Sequence, residues 1–250
     1  MASETGPQRP KYQRIADDLR AAIEAGQYGP GDRLPGESAL AQQYEVASLT
    51  ARQALKILRT EGLVETKRGA GARVMPFSPI RRHGIQRLSR DQWGSGKSIW
   101  SADEERPTTI DVRVETAAAP VHIARVLDVP EGTAVCTRSR RYVVAERPVM
   151  LAVSYLPLDL VEGTAITRVD TGEGGTYARL SEIGYAPVHF REEIRCRLPN
   201  VEEAEQLGMP LERPVIKVCR SAYADGGRAV EVNEMTMDSA SYVLEYDFDA

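Results

Sequence analysis

Apolar residues recur at helical spacing through the first 75 residues and at alternating spacing from about residue 108 onward. Tyr12, Ile15, Ala16, Leu19, Ala22 and Ile23 share one face of a 3.6-residue repeat, which predicts a helix ending at Gly26. Pro30-Gly31 marks a turn, and Glu37 to Tyr44 reads as a short helix with Leu40, Ala41 and Tyr44 inward. Beyond Glu45-Val46-Ala47, a third helix is expected from Ser48 to Glu61. It buries Ala51, Ala54, Leu55 and Leu58 and stops at Gly62. Ala47 has no side chain able to cap this helix, so Ser48 is expected to do so one residue later. Two helices joined by so short a turn predict a helix-turn-helix, whose second helix enters the major groove. Leu63 to Thr66 and Ala72 to Val74 then predict a two-stranded wing around the tip Lys67-Arg68-Gly69-Ala70-Gly71.

Residues 76–107 carry Pro76, Pro79, Gly84, Gly94, Gly96 and Pro107 and read as a linker. Trp93 or Trp100 is expected to anchor part of it, because free linkers rarely contain tryptophan. From 108 to 250 strand-like and helix-like stretches mix. Strands are expected at Thr109–Val114, Ala134–Ala145, Pro148–Leu156, Val188–Leu198, Val215–Ala224 and Ala229–Met237. Helices are expected at Pro120–Leu127, Thr176–Ile183 and Val201–Leu207. Turns fall at Glu146-Arg147 and Asp225-Gly226-Gly227, so the strands join mostly as hairpins. The fold class is therefore α+β, with an antiparallel sheet and helices on its faces.

A repeat lies inside this second module. Leu127, Pro130, Val135 and Arg140 match Leu207, Pro210, Val215 and Arg220 at one constant offset. Duplicated units pack with approximate twofold symmetry, which predicts a cleft between the halves.

The net charge of −4 hides an asymmetry. Residues 1–75 hold 11 basic against 9 acidic residues, whereas 76–250 hold 21 against 27. Within 46–75 the count is 6 basic to 2 acidic, the footprint of a DNA-reading surface or of an ordinary solvated cluster. Cys136, Cys196 and Cys219 are few, odd in number and widely spaced, which points to reduced thiols in a cytoplasm. His83, His122 and His189 lack metal-ligand spacing, so no metal or cofactor is expected. No apolar run approaches the ~20 residues of a membrane helix, and Met1 to Pro10 lacks the apolar stretch of a signal peptide. Nothing in the chain reads as a nucleophile–base pair or a phosphate loop, so no catalytic residue is expected.

The first module resembles the GntR family of bacterial regulators. The resemblance rests on Tyr12 to Leu19, Pro30-Gly31-Asp32-Arg33-Leu34-Pro35, Glu37, Leu40-Ala41, Val46, Thr50, Arg52-Gln53-Ala54-Leu55, Glu61-Gly62-Leu63-Val64 and Arg68-Gly69-Ala70-Gly71. It implies DNA contact by Thr50, Arg52 and Gln53 on the recognition helix and by Arg68, Gly69 and Gly71 at the wing. Ser48, Lys11, Lys67 and Arg73 join them as candidate contacts. The family usually has Ser-Arg where Ala47-Ser48 stands, and often an Arg where Ser38 stands, so arginine readout of guanine is expected to be altered here.

The second module resembles the effector-binding domain of the HutC subgroup of that family, whose fold is like chorismate lyase. Its carriers are Leu127 to Thr133, Arg138 to Arg141, Pro148, Ser154-Tyr155-Leu156-Pro157, Thr176-Tyr177, Leu207-Gly208-Met209-Pro210 and Val230-Glu231. The resemblance implies a small-molecule effector and a homodimer bound to two-fold related double-stranded operator DNA, most often as a repressor. The implied effector residues are Arg138, Arg140, Tyr142, Ser154, Thr176, Tyr177, Glu231 and Tyr242. Paired arginines suit an organic acid or a phosphorylated metabolite. Tyr142 and Ala152 stand where the family often has an arginine and an acid, so a less polar site is expected, suited to an aromatic or larger acid. A constitutive DNA-binding protein whose second module only dimerises is the alternative, and an enzyme on the lyase-like fold is a further one.

Overall fold

The computed structural model describes residues 9–67, 71–76, 79–93 and 107–248. The chain divides into two units after residue 78.

In the first unit, α1 (Lys11–Glu24), α2 (Glu37–Gln43) and α3 (Ser48–Glu61) are followed by β1 (Val64–Lys67) and β2 (Gly71–Val74). Both α1 and α2 pack on α3. Ile15, Leu19, Leu34, Leu40, Leu58 and Val64 form one buried cluster, the apolar set expected from the helical periodicity. Arg20 bridges the outer ends of α1 and α3, pairing with Glu61 at 2.7 Å and Asp17 at 2.6 Å. Gly62 takes φ 81° and closes α3 as a left-handed cap. The start of α3 differs from expectation: Ser48 is its first helical residue and forms no side-chain cap, and neither does Ala47. β1 and β2 pair antiparallel with Lys67 opposite Gly71. The segment before α2 joins them, through Leu34 N–H to the Ala72 carbonyl and Val74 N–H to the Asp32 carbonyl, each at 2.9 Å.

The second unit begins with β3 (Ile80–His83), a 3-10 turn at Gln86–Leu88 and α4 (Arg90–Trp93). It continues through β4 (Thr108–Ala118), α5 (Val121–Leu127), β5 (Ala134–Val144), β6 (Arg147–Pro157), α6 (Leu158–Val161) and α7 (Gly175–Glu182). β7 (Pro187–Arg197), α8 (Val201–Leu207), β8 (Val215–Ala224), β9 (Ala229–Asp238) and β10 (Tyr242–Glu245) complete it. Six strands form one antiparallel sheet in the order β4-β5-β6-β9-β8-β7. The repeat is visible in that order: β4-β5-β6 and β7-β8-β9 are equivalent antiparallel triplets, each a strand, a helix and a hairpin in sequence, that meet at the β6–β9 pair. Each half sends its helix to the other, since α5 packs on β9 and α8 on β6. Ile123, Leu127, Val135 and Val232 fill one of these contacts, and Ala204, Leu207, Met209 and Val215 the other. α6 and α7 pack through Leu156, Leu160, Ile166, Tyr177, Leu180 and Val230.

Two expectations change. Ile80–His83, assigned to the 76–107 linker, belongs to the second unit and pairs in parallel with β10. Four residues are too short for a periodic signal, and the partner strand lies near the other end of the chain. Arg82 is buried there against the Glu192 carboxylate, which also accepts a 2.7 Å bond from the Tyr246 hydroxyl. The Tyr246 ring lies so close to Gly84 that a Cβ there would meet it at 2.4 Å. The expected anchor at Trp93 or Trp100 lies outside the described side chains. The second change is the β5–β6 turn, which falls one residue early. Ala145 and Glu146 both adopt positive φ, the geometry of a two-residue hairpin loop, with a bulge beside Tyr142 absorbing the offset.

Candidate functional site

On the first three turns of α3 the exposed residues are Ser48, Leu49, Arg52, Gln53 and Lys56, a stripe opposite the buried Ala51, Ala54, Leu55 and Leu58. Thr50 is half-buried at the first turn. The Arg52 guanidinium pairs with Glu37 of α2 at 2.9 Å, which fixes the arginine against the preceding helix and favours its charged form. Lys11 is exposed at the first residue of α1. At the wing, Gly71 is exposed with φ 76°. Arg68 and Gly69 lie outside the described residues, as does the Lys67 side chain. Arg73 is half-buried and donates to the Gly31 carbonyl at 3.0 Å, so part of its guanidinium holds the wing to the unit. Arg33, which the periodicity did not single out, brings its guanidinium to 3.6 Å from where a Gly71 side chain would begin. The bridge between Arg33 and Arg73 places it beside the wing.

The second unit holds a cavity of about 490 Å³. The cavity lies on the sheet face reached by alternate residues of β5, β6 and β9 and by Arg220 of β8, and spans the junction of the two halves. It is not a gap between them, because β6 and β9 are hydrogen-bonded neighbours. Segment 169–177 covers it, and Arg87 enters from the turn after β3. Arg138, Arg140, Tyr142, Thr176, Tyr177 and Glu231 line it, so six of the eight expected effector residues converge.

Their roles differ from a uniform lining. Arg138 is committed to structure: its guanidinium donates to the carbonyls of Ile166, Arg168 and Val169, the last at 3.0 Å, and ties down the covering segment. Ser154 is fully buried and accepts from the Arg140 guanidinium, so it orients that arginine. The Tyr177 hydroxyl donates to the Glu231 carboxylate at 2.7 Å, with both residues buried. Burial pushes the Tyr177 pKa well above its usual value, so it stays a donor. Tyr242 is corrected: it lies on β10 beside Ile80 and does not line the cavity. The turn at Asp238–Ser241, held by a buried Arg213–Asp238 pair at 2.8 Å, carries the chain out of the six-stranded sheet before Tyr242.

Among the lining residues that were not expected at the site are Arg87, Arg220 and Asn233. The repeat carried the signal for Arg220, as the counterpart of Arg140. The structure brings both copies to one cavity. Arg220 is 3% exposed, and its guanidinium carbon stands 5.5 Å from the Tyr177 ring centroid. Burial opposes its charge, but Tyr177, Glu231 and Glu192 outweigh that and raise its pKa. Among the described residues, Nε of Arg140, Nε of Arg220 and Oδ1 of Asn233 are buried without a hydrogen-bond partner. Such atoms are normally met by water or a ligand.

Neither buried thiol of the second unit is an activated nucleophile. Burial pushes the Cys136 thiol up and the Cys219 thiol up to about 11, so neither is a thiolate near neutral pH. Among the described residues no group of His, Cys, Asp and Glu is arranged to hold a metal, and no helix is long and apolar enough to cross a membrane.

Comparison with known proteins matches residues 11–74 to the bacterial regulatory proteins of the gntR family and residues 103–242 to the UTRA domain. An HTH-type transcriptional regulator of Streptomyces coelicolor is 33% identical over 97% of this chain and 94% of its own length. The chain belongs to the GntR family. It is a DNA-binding transcriptional regulator with a winged helix-turn-helix and a UTRA effector-binding domain of the chorismate lyase-like type. The mannosyl-D-glycerate transport/metabolism system repressor MngR of Escherichia coli is 25% identical over 94% of each chain. The crystal structure of PhnF from Mycobacterium smegmatis superposes with a TM-score of 0.58 at 25% identity, covering 94% of this chain and 99% of that one. The S. coelicolor and E. coli relatives are named as transcriptional regulators, and the enzyme reading falls with that.

Proposed function

We propose that the protein is a homodimeric repressor whose grip on a two-fold related operator is tuned by a small anionic metabolite in the UTRA cavity. The observation that carries this reading is the convergence of Arg140 and Arg220, equivalent positions of the repeat, on one buried space beside the Tyr177–Glu231 pair. A cavity of about 490 Å³ suits a small metabolite. Arg140 and Arg220 offer forked donors to a carboxylate or phosphate, while Glu231 and Asn233 offer acceptors to its hydroxyl or amide groups. Met150, Ala152 and Met235 leave one wall apolar, which supports an acid with an aromatic or aliphatic body. The E. coli relative is named a repressor, which supports that sign of control.

DNA contact is assigned to Ser48, Thr50, Arg52 and Gln53 on α3, to Lys67, Arg68, Gly69 and Gly71 at the wing, and to Lys11 and the free part of Arg73. Each protomer supplies one recognition helix, so a two-fold operator calls for a pair of chains. Coupling between the two functions runs in this reading through β3, which begins two residues past the unit boundary and leads into the turn that delivers Arg87 to the cavity.

Native mass spectrometry of the purified protein identifies a co-purified small molecule, and operator binding is then titrated with and without it. A ligand-dependent change in affinity of about 5–150-fold is expected. Identical affinity in both titrations would leave the second unit as a dimerisation module only.

A further inference from the structure

We infer that Leu49 reads the C5-methyl group of a thymine in each operator half-site. This rests on the reading that α3 enters the major groove.

Leu49 is 69% exposed, whereas the other leucines among the described residues of the first unit are buried or half-buried. It makes no contribution to the core that its neighbours Ala51, Ala54 and Leu55 build. It stands in the first turn of α3, in the same exposed stripe as Ser48, Arg52 and Gln53, three and four residues ahead of the last two. A large aliphatic side chain at the centre of a polar surface gains nothing from water, and on this face the surface it would meet is duplex DNA. The major groove offers one strongly apolar group, the thymine methyl, and aliphatic side chains recognise it by contact.

The neighbours sharpen the assignment. Ser48 is too short to reach far into the groove, and the Arg52 guanidinium is drawn toward Glu37 on α2. Neither Ser48 nor Ala47 caps the helix through its side chain, so the first turn presents backbone N–H groups together with Leu49. Such a turn suits a phosphate beside the helix end and a methyl group in front of Leu49. Readout at this position is therefore apolar, by shape and methyl contact, in place of an arginine fork on guanine.

The test uses the full-length chain and a duplex selected from a random pool by the parent protein. Each thymine of that duplex is replaced in turn by deoxyuridine, which keeps base pairing and removes only the methyl group. The parent should lose about fourfold in affinity at one thymine per half-site, the factor expected for one buried methyl carbon. Leu49→Ala should bind the unmodified duplex more weakly by at least that factor and lose the sensitivity at that thymine. A parent insensitive to every replacement, or a Leu49→Ala chain as sensitive as the parent, overturns the inference. Arg52→Ala and Gln53→Ala separate the two levels. If they too leave affinity and selected sequence unchanged, placement of α3 in the groove fails as well. If they change either while the Leu49 result is null, only the methyl contact fails. Leu49 is exposed, so an unchanged thermal midpoint shows that Leu49→Ala is folded.

Discussion

The two candidate binding regions of this regulator use arginine in opposite ways. Arg52 stands 65% exposed on α3 and is held by an ion pair that is itself open to solvent. Arg220 is 3% exposed, lies over the Tyr177 ring and is held charged by Tyr177 and Glu231 despite its burial. An exposed cation acts at a distance, is screened by salt and costs little to install. A buried one is costly to install unless its charge is met, and it discriminates sharply because a ligand lacking the matching charge leaves it unmet. Searching a long polyanion suits the first arrangement, and recognising one metabolite suits the second.

The largest effect is expected where burial is deepest. Glu192→Gln removes the carboxylate from a pair whose side chains are 1% and 8% exposed, leaving the Arg82 charge buried beside a neutral amide. The second unit should lose about 3 kcal/mol of stability. Thermal unfolding should show it, together with faster proteolysis at β3; an unchanged midpoint would mean that buried charge is cheap here and break the contrast. The Arg82 contact holds the Glu192 pKa below the usual carboxylate range despite burial. A lowered folded-state pKa stabilises above the unfolded value, so this contribution is retained at neutral pH and lost on acidification below about pH 4.5.

Next come the cavity and the helix. Arg140→Ala and Glu231→Gln should each abolish the ligand-dependent change in operator affinity, a coupling of about 1–3 kcal/mol, while ligand-free DNA binding stays at the parental level. Titration of the co-purified ligand with and without operator checks both halves. If both variants respond like the parent, the cavity is not the effector site. Arg52→Ala should cost about 1–3 kcal/mol of operator affinity and alter preference at one base position. Lys67→Ala with Arg68→Ala should weaken binding to all sequences and flatten the dependence of log K on log salt by about 0.9 for each lost phosphate contact. Salt dependence unchanged in the wing variant would remove it from the DNA surface.

The smallest effect lies between the two extremes. Glu203 closes a capping box with Asn200 at the start of α8, and the Arg197 guanidinium lowers its pKa to about 2. Stability from this group is present above the unfolded pKa near 4.5 and is lost as pH falls toward 2. Glu203→Gln should cost about 1 kcal/mol at pH 7 and flatten the acid limb of the stability curve by a similar amount.

The helices of the first unit were legible, because they bury periodic faces and α1 and α3 stop at glycines. The exposed stripe is then fixed as what is left over on α3. The cavity was legible in part. Arg140, Tyr142, Tyr177 and Glu231 were found through the family resemblance, and the repeat already linked Arg220 to Arg140. Arg87 gave no signal, because its segment looks like a connection until β3 finds β10. Tyr242 was misplaced because a strand can leave one sheet for another at a turn without changing its apolar pattern.

Local chemistry therefore determined the helices, the hairpins, the two-unit plan and the duplicated α-β-β order, since each depends on residues a few positions apart. Tertiary structure decided which arginine engages backbone carbonyls and which rests on a serine hydroxyl. Arg138 and Arg140 share a strand face two residues apart, yet one ties down three carbonyls and the other rests on Ser154 at the cavity. That difference arises from where distant segments pass over the sheet. A guanidinium commits to whichever acceptors lie within reach once water is excluded, and only the folded chain brings those acceptors there.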